Sequence, residues 1–151
     1  MPAIEYFVRD IMCQPPITVD PSTFLLDAAL MLRAGAVRHL LVVEDGRLVG
    51  LLTDRDIQRC APSRLVPISE EGYNAVFEGT TVSRVMTREP LTVSPDTPLE
   101  TAIGMMQQSR FGCLPVVENE LVVGILTRSD LVDALQRLLS GKSARRYAAP
   151  S

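Results

Sequence analysis

Apolar positions along the chain follow two patterns that predict different elements. Two stretches carry apolar residues at i, i+3, i+4 and i+7, the spacing of an amphipathic helix. They are Leu25, Ala28, Ala29 and Leu32, and Leu99, Ala102, Ile103 and Met106. The nearly continuous apolar runs 40–43 and 48–52 predict strands that are covered on both faces. Asp45-Gly46 between these runs predicts a tight hairpin, and Asn119-Glu120 predicts a turn at the equivalent later position.

The same order of elements occurs twice because the sequence is repeated. Residues 8–57 align with residues 82–131 without a gap. Identical pairs are spread over the whole alignment, among them Met12/Met86, Pro16/Pro90, Thr53/Thr127 and Asp56/Asp130. We infer a tandem duplication in which each copy reads β-α-β-β-α, giving an α+β fold class. Because units of about fifty residues are close to the lower limit of independent stability, we expect the copies to pack around a pseudo-two-fold axis.

Boundaries and helix starts follow from local signals. We expect repeat 1 in residues 1–61, a linker in 62–81, repeat 2 in 82–140 and a disordered tail in 141–151. In the linker, Ser69 begins a predicted helix that Gly79 ends. In repeat 2, Thr97, Pro98 and Glu100 predict an N-cap, a proline at the first helical position and a capping box.

Composition narrows the classes of protein that this chain can belong to. The sequence has 151 residues, of which 46% are hydrophobic and 22% charged, and its formal net charge is −3. These values exclude a disordered chain and argue against binding to nucleic acid through its phosphates. No apolar run reaches the roughly 18–20 residues of a membrane helix, and no signal peptide is recognisable, so we expect a cytoplasmic protein. Three separated cysteines and one histidine offer neither a metal-ligand cluster nor a disulfide framework.

The chemistry of the chain centres on a motif that ends a strand in each repeat. The motif is Gly-h-h-Thr-x-x-Asp (h is apolar), at residues 50–56 and 124–130. Thr-x-x-Asp before a helix is a capping box, which stabilises a helix by about 1 kcal/mol. The same geometry offers N–H groups and a hydroxyl to a phosphate, and a carboxylate to the hydroxyls of a ribose. Both interpretations stay open at this point. Since no nucleophile elbow, P-loop lysine or paired Cys/His motif is present, we expect no catalytic residue.

The duplicated pattern over residues 8–136 resembles a tandem pair of CBS domains. The resemblance implies a regulatory module that binds an adenosine-containing ligand, such as AMP, ADP or ATP, in two clefts between the repeats. It implies that the protein forms a homodimer and acts on an unknown target protein. It implies no cofactor besides that ligand. The alternatives are a ligand-free dimerisation module and a binder of S-adenosylmethionine.

The resemblance also implies which residues line the two clefts, each combining the motif of one repeat with strands of the other. The aspartate would hold the ribose, the threonine would approach the phosphate and the apolar residues would contact the adenine. The first cleft takes Thr127, Asp130, Ile17, Val37, Arg38 and His39, and the second takes Thr53, Asp56, Leu91, Phe111, Gly112 and Cys113. Arg55 and Arg128 follow the threonines and are further candidates for the phosphate. Because Arg38 donates bidentately to phosphate, we expect the Asp130 cleft to bind a phosphorylated nucleotide better.

Overall fold

The protein has an α+β architecture built from short helices and small sheets. A computed structural model describes residues 4–60, 70–109 and 111–146. Its elements in chain order are α1 (Val8–Ile11), β1 (Thr18–Val19), α2 (Leu25–Gly35), β2 (His39–Glu44), β3 (Arg47–Thr53), α3 (Asp54–Cys60), α4 (Glu70–Gly79), α5 (Val82–Val85), β4 (Thr87–Arg88), α6 (Leu99–Gln108), β5 (Cys113–Glu118), β6 (Leu121–Thr127) and α7 (Arg128–Leu139).

The described residues form two compact units. One contains the described part of Met1–Pro16 and of Leu91–Ser151, and the other contains the described part of Ile17–Pro90. The first residues of each sequence repeat therefore pack with the hairpin of the other repeat. The expected boundaries at residues 61 and 82 refer to the repeats along the chain, and they stay a prediction.

The unit Ile17–Pro90 is a four-stranded sheet in the order β1-β2-β3-β4, with β1 parallel to β2 and the other pairs antiparallel. The hairpin turn predicted at Asp45-Gly46 is confirmed, since both residues have positive φ, 53° and 79°. The apolar face of α2 packs on the sheet as its spacing predicts. The buried core of this unit comprises Val19, Leu25, Ala28, Leu32, Leu40, Val42, Leu52, Ile57, Phe77 and Val82.

The second unit is built on the β5–β6 hairpin, whose turn at Asn119-Glu120 also has positive φ at both residues. The amino-terminal segment is bound to this hairpin, because Cys13 and Ile125 exchange backbone hydrogen bonds of 2.8 and 3.0 Å. Val93 pairs with Val116 on the other side. The buried core comprises Val8, Ile11, Met12, Val93, Ala102, Met106, Leu114, Val116, Leu126, Ala134 and Ala144.

The capping box expected at Thr97 is wrong. The helix α6 begins at Leu99, and its N-cap residue, Pro98, makes no side-chain hydrogen bond. The Thr97 hydroxyl instead accepts the Ser94 N–H at 3.0 Å, while the Leu99 N–H donates to the Tyr6 carbonyl at 2.8 Å. A carbonyl of the amino-terminal segment thus accepts the first N–H of α6, where the sequence predicts a local side-chain cap.

Two other expectations differ from the structure or fall partly outside it. The helix predicted to end at Gly79 does end there, while its expected start, Ser69, lies outside the described residues. The tail expected to be disordered from residue 141 is held in place as far as Arg146, where the Arg146 N–H donates to the Asp10 carbonyl at 2.7 Å. Residues 147–151 lie outside the described part.

Candidate functional site

The first Thr-x-x-Asp motif is buried where β3 turns into α3. Thr53 is 6% exposed and Asp56 is 8% exposed. The Thr53 N–H donates to Asp56 Oδ2 at 2.9 Å, and the Asp56 N–H donates to Thr53 Oγ1 at 3.2 Å. These two bonds form a capping box, so one carboxylate oxygen is committed to the fold. Among the described residues, none donates a hydrogen bond to the other oxygen, Oδ1.

The second motif repeats this arrangement between β6 and α7. The Thr127 N–H donates to Asp130 Oδ2 at 2.8 Å, and the Asp130 N–H donates to Thr127 Oγ1 at 3.3 Å. The Thr127 hydroxyl also donates to Asp130 Oδ2, at 2.9 Å. Arg146 then binds the remaining oxygen, with its Nη2 2.7 Å from Asp130 Oδ1. Both oxygens of this carboxylate are therefore engaged.

The first N–H of each helix is already bound within the fold. The Asp54 N–H donates to the Arg38 carbonyl, and the Arg128 N–H donates to the Gly112 carbonyl, both at 3.0 Å. With the third N–H used by the capping threonine, the start of each helix has few donors left for an anion. Any phosphate bound near these motifs therefore depends on side-chain cations more than on the helix start.

Within the unit Ile17–Pro90, the structure brings the first motif beside the start of β2. His39 is the register partner of Thr53, and the exposed Arg38 precedes it. The Ile17 carbonyl accepts the Leu41 N–H at 3.2 Å, and the Ile17 side chain is 37% exposed. Val37 is partly buried against the core. Arg55 is exposed on the first turn of α3.

In the other unit, the second motif lies beside the start of β5 in the same way. Cys113 is the register partner of Thr127. The Arg128 side chain extends over Gly112, because a Cβ built there would lie 3.4 Å from the Arg128 Cδ. Phe111 is partly buried. Leu91, the remaining candidate in this unit, is 54% exposed.

Cys113 is an apolar part of the interior rather than a polar group at a motif. Only 2% of the residue is exposed. Burial raises the pKa of the Cys113 thiol from its usual value to about 12. The thiol therefore stays protonated near neutral pH, which does not suit a nucleophile.

The structure assembles the motifs with strands of their own repeats. The crossed sets expected from the resemblance place Thr127 and Asp130 with Arg38, and Thr53 and Asp56 with Gly112. The members of each crossed set belong to different compact units. The crossed pairing and the stronger phosphate binding expected at Asp130 both stay predictions.

Sequence reasoning missed one residue that touches a motif, Arg146. Its place beyond the last predicted helix led to the expectation of a disordered tail. The available signal was the pair Arg145-Arg146 and the carboxylates of Asp10 and Asp130, whose proximity no periodicity reveals.

Over residues 4–60, 70–109 and 111–146, no three His, Cys, Asp or Glu side chains are grouped as metal ligands would be. Over the same ranges, every helix is too short or too polar to cross a bilayer.

Comparison with known proteins extends these observations. The CBS domain family model matches residues 8–62 and 82–137. A CBS domain-containing protein of Dictyostelium discoideum is 31% identical over 138 residues, which are 90% of this chain and 95% of the relative. Among solved structures, CBSX2 of Arabidopsis thaliana in complex with AMP is 31% identical with a TM-score of 0.72, covering 89% of this chain and 98% of that one. A CBS domain pair in complex with 5′-methylthioadenosine and S-adenosyl-L-methionine is 28% identical with a TM-score of 0.70, covering 91% and 98%.

Proposed function

Because the chain belongs to the CBS domain family and carries two copies of its repeat, we propose that it is a regulatory module that binds an adenine nucleotide without catalysing a reaction. The ligand class is AMP, ADP or ATP. AMP in the similar CBSX2 structure supports this choice. The candidate contacts are the two Thr-x-x-Asp motifs and the apolar residues at the strand starts.

The observation that carries the proposal is the unused oxygen of Asp56. Asp56 is 8% exposed as a residue, and its Oδ2 is held by the Thr53 N–H. Its Oδ1 has no donor among the described residues. A carboxylate fixed in this way is preorganised to accept hydrogen bonds from the two hydroxyls of a ribose.

The phosphate of such a ligand needs a cation, and three arginines are suitably placed near the motifs. Arg38 and Arg55 are exposed beside the first motif, and Arg128 is exposed beside the second. A guanidinium donates bidentately to a phosphate, which a lysine cannot do. At the first motif, the hydrogen bond from the Asp54 N–H to the Arg38 carbonyl anchors the Arg38 backbone.

The experiment that tests the proposal is an Asp56→Asn substitution. An asparagine keeps an oxygen for the Thr53 N–H but turns an N–H₂ group toward the ligand, so the cap survives while the ribose acceptor is lost. We expect binding of adenosine and of AMP to weaken equally, by about 10- to 100-fold, because charge-assisted hydrogen bonds contribute about 1.5–3 kcal/mol. Isothermal titration calorimetry measures both ligands.

Asp54→Asn is the matched control, since it removes the same charge two residues away on the same helix. We expect it to leave both affinities within about twofold, because screened surface charges act weakly. Unchanged affinity in Asp56→Asn would reject the ribose assignment and leave the capping role alone.

Two alternatives have observations of their own. A ligand such as S-adenosylmethionine is supported by the similar pair solved with it, and titrating it beside AMP separates the two. A ligand-free association module, which assembles as a homodimer or with a target protein, is supported by the exposed apolar side chains of α7. They are Val132, Leu135, Leu138 and Leu139. Sedimentation that shows a dimer, together with no response to any adenosine compound, would favour this second alternative.

A further inference from the structure

The last described residues, Gly141–Arg146, form a C-terminal arm that folds back onto its own unit. Ala144 is 2% exposed and belongs to the core of that unit. The Arg145 guanidinium lies over the Tyr6 ring at 5.1 Å. Hydrogen bonds that hold the arm include Lys142 N–H to the Arg137 carbonyl (2.9 Å), Arg137 Nη1 to the Arg145 carbonyl (2.9 Å), Arg145 Nε to Asp10 Oδ1 (3.2 Å) and Arg146 N–H to the Asp10 carbonyl (2.7 Å).

This anchoring brings the arm to the second Thr-x-x-Asp motif. Arg146 Nη2 lies 2.7 Å from Asp130 Oδ1, the oxygen that corresponds to the unused Oδ1 of Asp56. Asp130 Oδ2 is already occupied by the N–H and the hydroxyl of Thr127. The two motifs therefore differ in how available they are to a ligand. The Asp56 carboxylate has one oxygen without a donor among the described residues, whereas both oxygens of the Asp130 carboxylate accept hydrogen bonds.

We propose that the C-terminal arm is an internal competitor for the Asp130 motif. Arg146 occupies the carboxylate oxygen that a ribose hydroxyl needs, so a nucleoside binds at Asp130 only as Arg146 withdraws. This inference rests on the proposed function, since it concerns the same use of the carboxylate. Binding at this motif is thereby coupled to release of the arm, whereas binding at Asp56 has no such requirement.

The ion pair can act as a competitor because it is only partly buried. The side chains of Arg146 and Asp130 are 30% and 9% exposed, so the guanidinium has a path to solvent. If a ligand binds only when the arm is released, its apparent affinity equals its intrinsic affinity multiplied by the fraction of molecules whose arm is released. For a charge-assisted pair of this kind, we expect a reduction of roughly tenfold.

The test is an Arg146→Ala substitution in the full chain, combined with Asp56→Asn so that only the second motif binds ribose. Calorimetry with adenosine, which has no phosphate for an arginine to contact, is expected to show about tenfold tighter binding than in Asp56→Asn alone. Lys142→Ala is the control, since it removes a positive charge from the same arm without touching Asp130. We expect it to leave the affinity unchanged.

A second measurement, hydrogen exchange at the Arg146 amide, reports release of the arm both without and with a ligand. Asp130→Asn removes the charge that holds Arg146, so hydrogen exchange at the Arg146 amide is expected to accelerate, while Asp133→Asn on the same helix leaves it unchanged. Adenosine is expected to accelerate the same amide in the Asp56→Asn protein.

The outcomes separate the two proposals. Equal or weaker adenosine binding in Arg146→Ala, or unchanged exchange in Asp130→Asn, would overturn the competition alone. Absence of adenosine binding in the unmodified protein and in every variant would reject the proposed function, and this inference with it.

Discussion

Gly124 lies in β6 at a point where the backbone of Cys13 passes close to the strand. A Cβ at this position would lie 3.0 Å from the Cys13 carbonyl oxygen and 2.9 Å from Met12 Sδ. Gly50 has the same relation to Thr87 and Met86 in the other unit. The glycine of the repeated motif is thus explained by the close approach of a paired segment.

We expect Gly124→Ala to lower the free energy of unfolding by about 1–3 kcal/mol, the usual cost of overpacking a site that cannot yield. The control is Gly104→Ala in α6, where a Cβ meets nothing within 4 Å. There an alanine is expected to stabilise the protein by about 0.5–1 kcal/mol. Urea denaturation measures both variants, and a neutral Gly124→Ala would contradict the packing explanation.

The buried thiol of Cys113 makes stability depend on pH in alkaline solution. Burial raises its pKa in the folded protein to about 12, whereas the unfolded thiol ionises near its usual value of 9.0. Above about pH 9 the unfolded state therefore loses a proton that the folded state keeps. The contribution to stability is complete below pH 9 and is lost progressively as the pH rises toward 12.

Cys113→Ser isolates this effect, because a serine does not titrate in this range. Between pH 9 and 10.5 we expect the unfolding free energy of the unmodified protein to fall more steeply than that of the variant, by at most about 1.4 kcal/mol per pH unit. Chemical denaturation at several pH values gives both slopes, and parallel curves would show that the thiol is not protected.

At the scale of elements, the parts that the sequence predicts well are those fixed by neighbouring residues. Both hairpins follow from apolar runs around a two-residue turn, and both Thr-x-x-Asp capping boxes follow from residues three apart. Elements that depend on contacts with distant residues are not predicted correctly from the sequence. The four-residue helices α1 and α5 are too short for a periodicity to appear, and the start of α6 is satisfied by the Tyr6 carbonyl.

The candidate site shows the same division. The capping role of Asp56 and Asp130 is readable from the local pattern, because the carboxylate and the amide that it binds are three residues apart. The difference between the two aspartates was not readable. It depends on Arg146, which is separated from Asp130 by the rest of α7 and a turn and reaches it because the arm folds back and binds Asp10.

At the scale of the whole molecule, the first residues of each repeat complete the core of a unit built on the hairpin of the other repeat. Ile11 lies at the start of repeat 1 but is buried, at 1% exposure, with Leu114 and Leu126 of repeat 2. Val82 lies at the start of repeat 2 but is buried, at 0% exposure, with Leu40 and Leu52 of repeat 1.

This exchange predicts where two substitutions act, one at the start of each repeat. Ile11→Ala is expected to cost about 2–5 kcal/mol and to increase hydrogen exchange first in β5 and β6. Val82→Ala, the comparison in the other unit, is expected to increase exchange first in β2 and β3. Mass spectrometry of exchanged peptides distinguishes these strands, and loss of protection in the sequence-adjacent hairpin instead would contradict the exchange of segments.

The pairing of Cys13 with Ile125 has a consequence for the protein during its synthesis. A ribosome releases the amino-terminal segment first, yet the strand that receives it is translated more than a hundred residues later. The unit Ile17–Pro90 is continuous in the chain, so it has all its strands before the other unit has its hairpin. Until that hairpin emerges, Val8, Ile11 and Met12 remain without the partners that bury them in the folded unit, so their apolar surface stays exposed for most of translation.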